Sequence, residues 1–496
     1  MTSKQVGATK MPRQNKEHHL SGNMGVTELV MSVLAFSSPL TVAAGFIPVL
    51  LMFSGPSAPG IYIVLTIMLL IFSVGFVKMS RTVENPGGFY AFVTAGLGKP
   101  AGLGGAFLAL FGYVFIGFFA PPLFGITLQG FVVNTLNGPE IPWYWYGLGI
   151  VMVTTTLAYR RIDLSAKVLT TVMLLESAMV VIFNIFSFAT SGGRVEQGIG
   201  FSMPWITDAG LGIALLFAVG NYFGFEATVI YRDEVKNPTK TIPRATYIAV
   251  IGVGLFYAVA AWAYIAYFGA DNVQTVAEGN TVNMFFDAST ALVGKIFAEL
   301  TTVLLLTSIL ASMLSIQNVA ARYSFSLATD RVLPSALGRV HPRLKSPYVS
   351  SLAIGTLWGV ATIIFPALGV APEVLYPIAS GSGSFAVLLL MFITSLAVFV
   401  YFLRRRRVHP ESIWQTLVAP MVSFLFLGFI TYLSIQNYPD LIAGSPVMAA
   451  IFLTLTFALF LGGIAHALIL RSRRPAVYAL IGRQNAEISE PLPEVL

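Results

Sequence analysis

The chain of 496 residues is 56% hydrophobic and only 10% charged, with a mean hydropathy of +0.78, which excludes a soluble protein with an ordinary charged surface. Its 29 Lys and Arg outnumber 22 Asp and Glu, giving a pI near 9.4. The absence of cysteine excludes disulfides, thiolate metal sites and a cysteine nucleophile.

Residues 1–25 form a polar tail carrying Lys4, Lys10, Arg13, Lys16, His18 and His19, with no cleavable leader pattern and no third ligand to make the histidines a metal site. Apolar runs long enough to cross about 30 Å of hydrocarbon follow. They cover 26–53, 60–78, 101–133, 143–158, 164–190, 210–230, 246–269, 295–328, 347–366, 372–402, 413–435 and 446–470, predicting an all-α polytopic membrane protein with twelve transmembrane helices. Placing both termini in the cytoplasm leaves 27 of the 29 Lys and Arg inside, with Arg194 and Lys295 outside. A missed helix would invert every later loop and destroy that bias. The basic excess therefore reads as membrane topology. A nucleic-acid partner is not expected, since Arg404 to Arg407 directly follow an apolar run.

Two runs carry the elements that break a helix. In the first, Phe36 to Pro48 reads FSSPLTVAAGFIP, where Pro39 removes a backbone donor and Gly45 and Pro48 loosen the ladder. In the sixth, Ala218 to Glu226 reads AVGNYFGFE, where Gly220 and Gly224 weaken the helix and Glu226 is costly to bury. The two breaks lie five helices apart, as expected of inverted halves that each begin with an interrupted helix. Exposed amides at such breaks attract carboxylates and the opposing carbonyls attract ammonium groups or Na⁺, which suits a zwitterion.

Three blocks resemble the amino acid/polyamine/organocation (APC) superfamily of permeases. They are GFEATVIYRDEVKNPTKTIPRA after the second break, NPGGFYAFVTAGLGKPAGLGGAF from Asn85 to Phe107, and NVAARYSFSLATDRVLPSALGRVHPRLKSPYV from Asn318 to Val349. The resemblance implies the five-plus-five inverted-repeat fold of leucine-transporter-like carriers. Its parts would be a cytoplasmic tail 1–25, repeats 26–190 and 210–402, peripheral helices 413–470 and a cytoplasmic tail 471–496. It also implies alternating access without nucleotide hydrolysis, and no GxxxxGK[ST] loop is present. Gly102, Gly104 and Gly105 lack the lysine of a phosphate loop and read as close helix packing.

The chain departs from its relatives at three places. Many relatives hold the substrate carboxylate on a G-S-G or G-x-G run in helix 1, where this chain has Thr41, Val42, Ala43, Ala44 and Gly45. A gating aromatic near the sixth-helix break is replaced by Gly220 and Asn221, with Phe217, Tyr222 and Phe223 close by, implying a wider pocket or a displaced gate. Proton-coupled relatives often carry a Lys in helix 5 that occupies the place of a sodium ion; here local alignment puts Glu176 there.

The expected substrate site therefore comprises Ser37, Ser38, Thr41, Val42, Ala43, Ala44 and Gly45 from the first break. The second break adds Phe217, Gly220, Asn221, Tyr222, Phe223 and Gly224. Glu176 is a candidate for proton coupling or a structural hydrogen-bond acceptor, and Glu226 for the inner gate or proton sensing. Ser308 and Ser312 offer hydroxyls one turn apart for a sodium site, the less favoured coupling ion. Glu299 and His466 match no motif. The outer loop from Asp271 to Lys295 holds a candidate short helix, NTVNMFFDASTALVG.

The reading is a secondary carrier in the plasma (inner) membrane for small amino-group substrates, most simply amino acids, driven by protons or exchange, with no cofactor. A polyamine or ethanolamine-type permease is the alternative, and a channel or receptor using the same fold a more distant one. An enzyme is not expected, as no HExxH, nucleophile elbow or phosphate loop occurs.

Overall fold

The computed structural model describes residues 24–83, 87–160, 166–191, 210–232, 235–344, 346–406, 412–441 and 445–482. Residues 1–23 with His18 and His19, Asn85, Pro86, Arg161, Arg194, Lys345, Arg407 and the residues after 482 lie outside the described residues.

Among the described residues the protein is helical, with one isolated parallel bridge between Met24 and Val235. Helices α1 (Val26–Ser37), α2 (Ile47–Ser54) and α3 (Ala58–Thr82) lie within one apolar stretch. Next come α4 (Gly88–Leu97), α5 (Lys99–Gly117), α6 (Ala120–Asn134), α7 (Trp143–Arg160) and α8 (Ala166–Thr190). The chain continues through α9 (Leu211–Gly220), α10 (Pro238–Phe268), α11 (Val273–Gly279), α12 (Met284–Leu292) and α13 (Lys295–Thr329). Finally α14 (Tyr348–Ala367), α15 (Pro372–Arg405), α16 (Ala419–Gln436), α17 (Pro446–Arg473) and α18 (Pro475–Leu480) close the bundle.

Among the described residues, nine helical stretches are long and apolar enough to cross a membrane, the longest being Val26–Thr82 with 57 residues. The segment 271–295 folds into α11 and α12, and Phe285 of α12 packs its ring 4.7 Å from that of Phe183 on α8.

Both anticipated interruptions are present, with a shifted centre in the first. Ser38, φ 49°, is the left-handed hinge that ends α1, and Pro39 restarts the helix over Pro39–Thr41. A serine in this conformation costs roughly 1–2 kcal/mol. Its hydrogen bonds offset that: its amide donates to the Leu34 carbonyl at 2.7 Å, and its hydroxyl to the carbonyls of Ala35 at 3.0 Å and Ser308 at 3.2 Å. Val42–Phe46 then widens into a π-turn before α2. Pro48 explains the widening, because its ring cannot donate four residues back and crowds the carbonyl it would have met.

The second interruption is complete. Helix α9 stops at Gly220, residues 221–226 form turns, and a short helix spans Ala227–Ile230. Gly224 has φ +108°, and a Cβ there would lie 2.6 Å from Phe36 Cβ, so this turn requires glycine for both conformation and space. The glycines of α5 pack as expected: a Cβ on Gly463 of α17 would stand 2.6 Å from Gly104 Cα.

Candidate functional site

The two interruptions meet across α3 and α10. Ser37 Oγ donates to the Asn221 carbonyl at 3.0 Å and lies 2.5 Å from Tyr257 Oη of α10. Asn221 Nδ2 donates to Tyr62 Oη of α3 at 2.6 Å. These bonds satisfy polar groups that the broken ladders leave exposed in an apolar interior.

Beside them lies a buried cavity of about 40 Å³. Of the anticipated residues, Ser37, Thr41, Val42, Phe217, Gly220, Asn221, Phe223 and Ser312 line it. Its remaining wall comes from Phe36, Phe46, Ile116, Phe119, Ile316, Ser380 and Ser384. Sequence reasoning missed these seven; five sit on or beside the uninterrupted helices α5, α13 and α15. The run Ser380-Gly-Ser-Gly-Ser384 on α15 was the available signal, because such small residues let helices approach closely.

Ser38, Ala43, Ala44, Gly45, Tyr222 and Gly224 are buried but do not line the cavity. The helical turns at 39–46 rotate Ala43, Ala44 and Gly45 away. The Ala43 carbonyl accepts from Tyr264 Oη at 2.9 Å, a Cβ on Gly45 would face Leu123 at 3.4 Å, and Tyr222 Oη reaches the Tyr62 carbonyl at 2.9 Å and Thr66 Oγ1 at 2.7 Å.

Among the described residues no ionisable side chain lines the cavity. Glu176, 1% exposed, lies behind its wall. Its carboxylate accepts from Ser308 Oγ at 2.7 Å and from the Leu40 amide, and Ser308 Oγ accepts from Thr41 Oγ1 at 3.0 Å. Leu40 opens the restarted helix, whose first amides have no intrahelical partner, so Glu176 sits where the helix dipole favours an anion. Ser312 Oγ donates to the Phe36 carbonyl at 3.2 Å.

Glu226, also 1% exposed, caps the second interruption in the same manner. Its Oε2 accepts from the Gly224 amide at 2.9 Å and its Oε1 from Tyr113 Oη. Tyr113 stacks on Tyr323 of α13 with ring centroids 5.5 Å apart. One turn further, Arg232 donates to the Ser80 carbonyl at 2.5 Å, and the Arg322 guanidinium lies 5.0 Å from the Tyr231 ring centre. The broken helix is thereby tied to α3, α5 and α13. Glu299 pairs with Lys295 at 3.6 Å on the surface, and His466 stacks against Phe107.

A polytopic helical bundle with two interrupted helices facing a buried cavity is the architecture of a membrane carrier. The chain matches the amino acid permease family over residues 26–457 and belongs to that family. It is similar to the low-affinity putrescine importer PlaP of Escherichia coli K12, 21% identical over 350 residues that cover 68% of this chain and 74% of the relative. It is also similar to the serine/threonine exchanger SteT of Bacillus subtilis 168, 29% identical over 147 residues covering 29% of this chain and 33% of the relative. Among solved structures, MhsT in complex with L-phenylalanine superposes with a TM-score of 0.58 at 14% identity, covering 83% of this chain and 99% of that one. At that identity the likeness is one of fold.

Proposed function

We propose that the protein is a secondary carrier of small neutral amino acids, working by alternating access in the plasma (inner) membrane with both termini cytoplasmic. Twelve crossings arranged as a five-plus-five inverted repeat fit the chain. The 57-residue stretch Val26–Thr82 is about 85 Å long as helix, enough to cross twice, and Trp143–Arg160 and the interrupted segment 211–230 supply the remaining two.

The observation that carries the substrate class is the cavity wall: hydroxyls, an amide and aromatic rings between two helix breaks, with no ionisable side chain. A polyamine would place a second charge in this wall, and no lining carboxylate meets it. Ser37 and Gly220, the last residues of two helices, line the cavity, and the negative end of each helix dipole suits an ammonium group. Ser384 Oγ, on a residue 4% exposed, has no hydrogen-bond partner among the described residues and is free to meet a polar group of the substrate.

A specific observation favours a second reading, a small monoamine such as an ethanolamine-type substrate. Glu176 already takes the Leu40 amide and Glu226 the Gly224 amide, two amides at the breaks that would otherwise attract a substrate carboxylate.

Coupling to protons at Glu176 fits its buried position, held by hydroxyls and an amide, and Glu226 with Tyr113 fits an inner gate. Exchange and sodium coupling through Ser308 and Ser312 are the alternatives. Uptake into proteoliposomes across a panel of amino acids and amines, under imposed H⁺ or Na⁺ gradients, tests the reading. Accumulation of a neutral amino acid driven by the H⁺ gradient supports it, and a panel in which no amino compound moves overturns it.

A further inference from the structure

Two helices that wall the cavity, α5 at Ile116 and α13 at Ser312 and Ile316, run side by side to the end of the bundle that carries Lys99 and Asp330. There the segment 475–482 crosses from α17 and is bound to both. Lys99 Nζ, at the start of α5, donates to the carbonyls of Tyr478 at 3.0 Å and Ala479 at 2.7 Å, and lies 5.3 Å from the Tyr478 ring centre. A cation on the last carbonyls of α18 meets the negative end of that short helix.

The Gly482 amide, with φ +78°, donates to Tyr90 Oη of α4 at 2.7 Å and reaches Asp330 Oδ2 at 3.4 Å. Tyr90 Oη in turn donates to Asp330 Oδ2 at 2.9 Å. Ile481 is 1% exposed between these contacts. A fraying terminus would bury none of this; each polar group here is matched to a partner on a different helix.

We propose that residues 475–482 form a strap that pins α4 and α5 to the end of α13, and that this strap must leave the seam before the cavity opens toward that end of the bundle. The cavity floor follows from the same geometry. Between cavity and strap, Tyr113 of α5 stacks on Tyr323 of α13 and holds Glu226. Separating α5 from α13 therefore breaks the floor, and the strap resists that separation from the far end, where the leverage on two rigid helices is greatest. The inference concerns the seam and is independent of the substrate.

The chain contains no cysteine, so a single engineered pair reports without background. A Cβ on Gly482 would lie 3.4 Å from Thr94 Cβ, close to the separation a disulfide spans. In the full chain, Thr94→Cys with Gly482→Cys is expected to cross-link under mild oxidant. Hydrogen exchange in residues 221–226 is then expected to slow about tenfold relative to the reduced form, the equivalent of one charge-assisted contact. Lys99→Met, which keeps an unbranched side chain one atom shorter and removes its charge, is expected to speed the same exchange. Because Gly482→Cys sets a side chain at φ +78°, the single variant is the control for strain; failure of the pair to cross-link while that single variant keeps the parent's melting temperature overturns the docked geometry. Cross-linking, or Lys99→Met, with no change in exchange at 221–226 overturns the coupling of strap to cavity. Neither outcome depends on which substrate is carried, so a failed uptake panel and a failed strap are distinguishable.

Discussion

Adding one methyl group at Gly220 tests how closely the second helix break stands against the α15 wall. A Cβ there would lie 2.6 Å from Ser384 Oγ and 3.4 Å from Ser384 Cβ, with the Phe223 ring at 3.8 Å. The overlap with the hydroxyl alone should cost about 1–3 kcal/mol, the usual range for overpacking. Replacing glycine at the last turn of a helix by alanine recovers roughly 0.5–1 kcal/mol of backbone entropy. Gly220→Ala should therefore destabilise the native background by up to about 2.5 kcal/mol. With Ser384→Ala in place, the nearest remaining atom is at ordinary contact distance, and the same methyl should become neutral or stabilising. The assay is a double-mutant cycle on the four purified proteins, read as differences in apparent melting temperature in one detergent. A change of sign for Gly220→Ala between the two backgrounds is expected. Additive effects would refute the approach of α9 to α15, and with it this wall of the cavity.

Three further outcomes follow from the site. Tyr113→Phe removes a donor to a buried carboxylate and should cost about 1.5–3 kcal/mol; Tyr323→Phe should be near neutral, since the Tyr323 hydroxyl has no partner among the described residues. Thermal unfolding of the pair checks this, and equal losses would show that Tyr113 does not support Glu226. Glu176→Gln keeps an acceptor for the Leu40 amide but cannot exchange a proton, so accumulation driven by a pH gradient should vanish while counterflow persists. Retained gradient-driven accumulation would remove Glu176 from coupling. At the strap, burial pushes the Asp330 carboxyl above its ordinary range, against the opposing pull of Tyr90, the Gly482 amide and Lys99. A raised carboxyl stabilises the folded state fully below its ordinary pKa and loses that contribution as pH rises through the raised value. Acidification from neutral pH should thus stabilise the native protein relative to Asp330→Asn; matching pH profiles would contradict this.

The membrane class and the two interruptions were legible because they depend on local chemistry. A run of about twenty apolar residues, a proline without an amide and glycines beside a carboxylate each constrain the backbone wherever they stand. Phe217, Gly220, Asn221 and Phe223 were found in this way and line the cavity. Within the first run, Pro39, Gly45 and Pro48 were named as the loosening elements, and the hinge itself is Ser38, because proline disfavours the right-handed helix at the residue before it. Ala43, Ala44 and Gly45 were assigned to the cavity on family pattern, whereas the π-turn at 42–46 turns them into the packing.

What the sequence did not disclose was tertiary. Ile116 and Phe119 sit in regular or nearly regular helix and carry no local mark of a cavity wall; only the approach of α5 to the breaks gives them one. Glu176 was singled out by local alignment with a helix-5 Lys of proton-coupled relatives, but its partner, the Leu40 amide, became available only once Ser38 had ended α1. The strap was the least visible feature. Lys99, Tyr90, Asp330 and Gly482 are scattered across almost 400 residues, and nothing in their spacing brings them together.

The central claim is that the cavity between the two breaks carries a small neutral amino acid. Counterflow in proteoliposomes tests it most directly: unlabelled compound is loaded inside and entry of labelled neutral amino acid is followed, with putrescine and a monoamine as parallel arms. Preloaded neutral amino acid should accelerate entry and preloaded putrescine should not. Acceleration by putrescine or the monoamine, with none by any neutral amino acid, would contradict it.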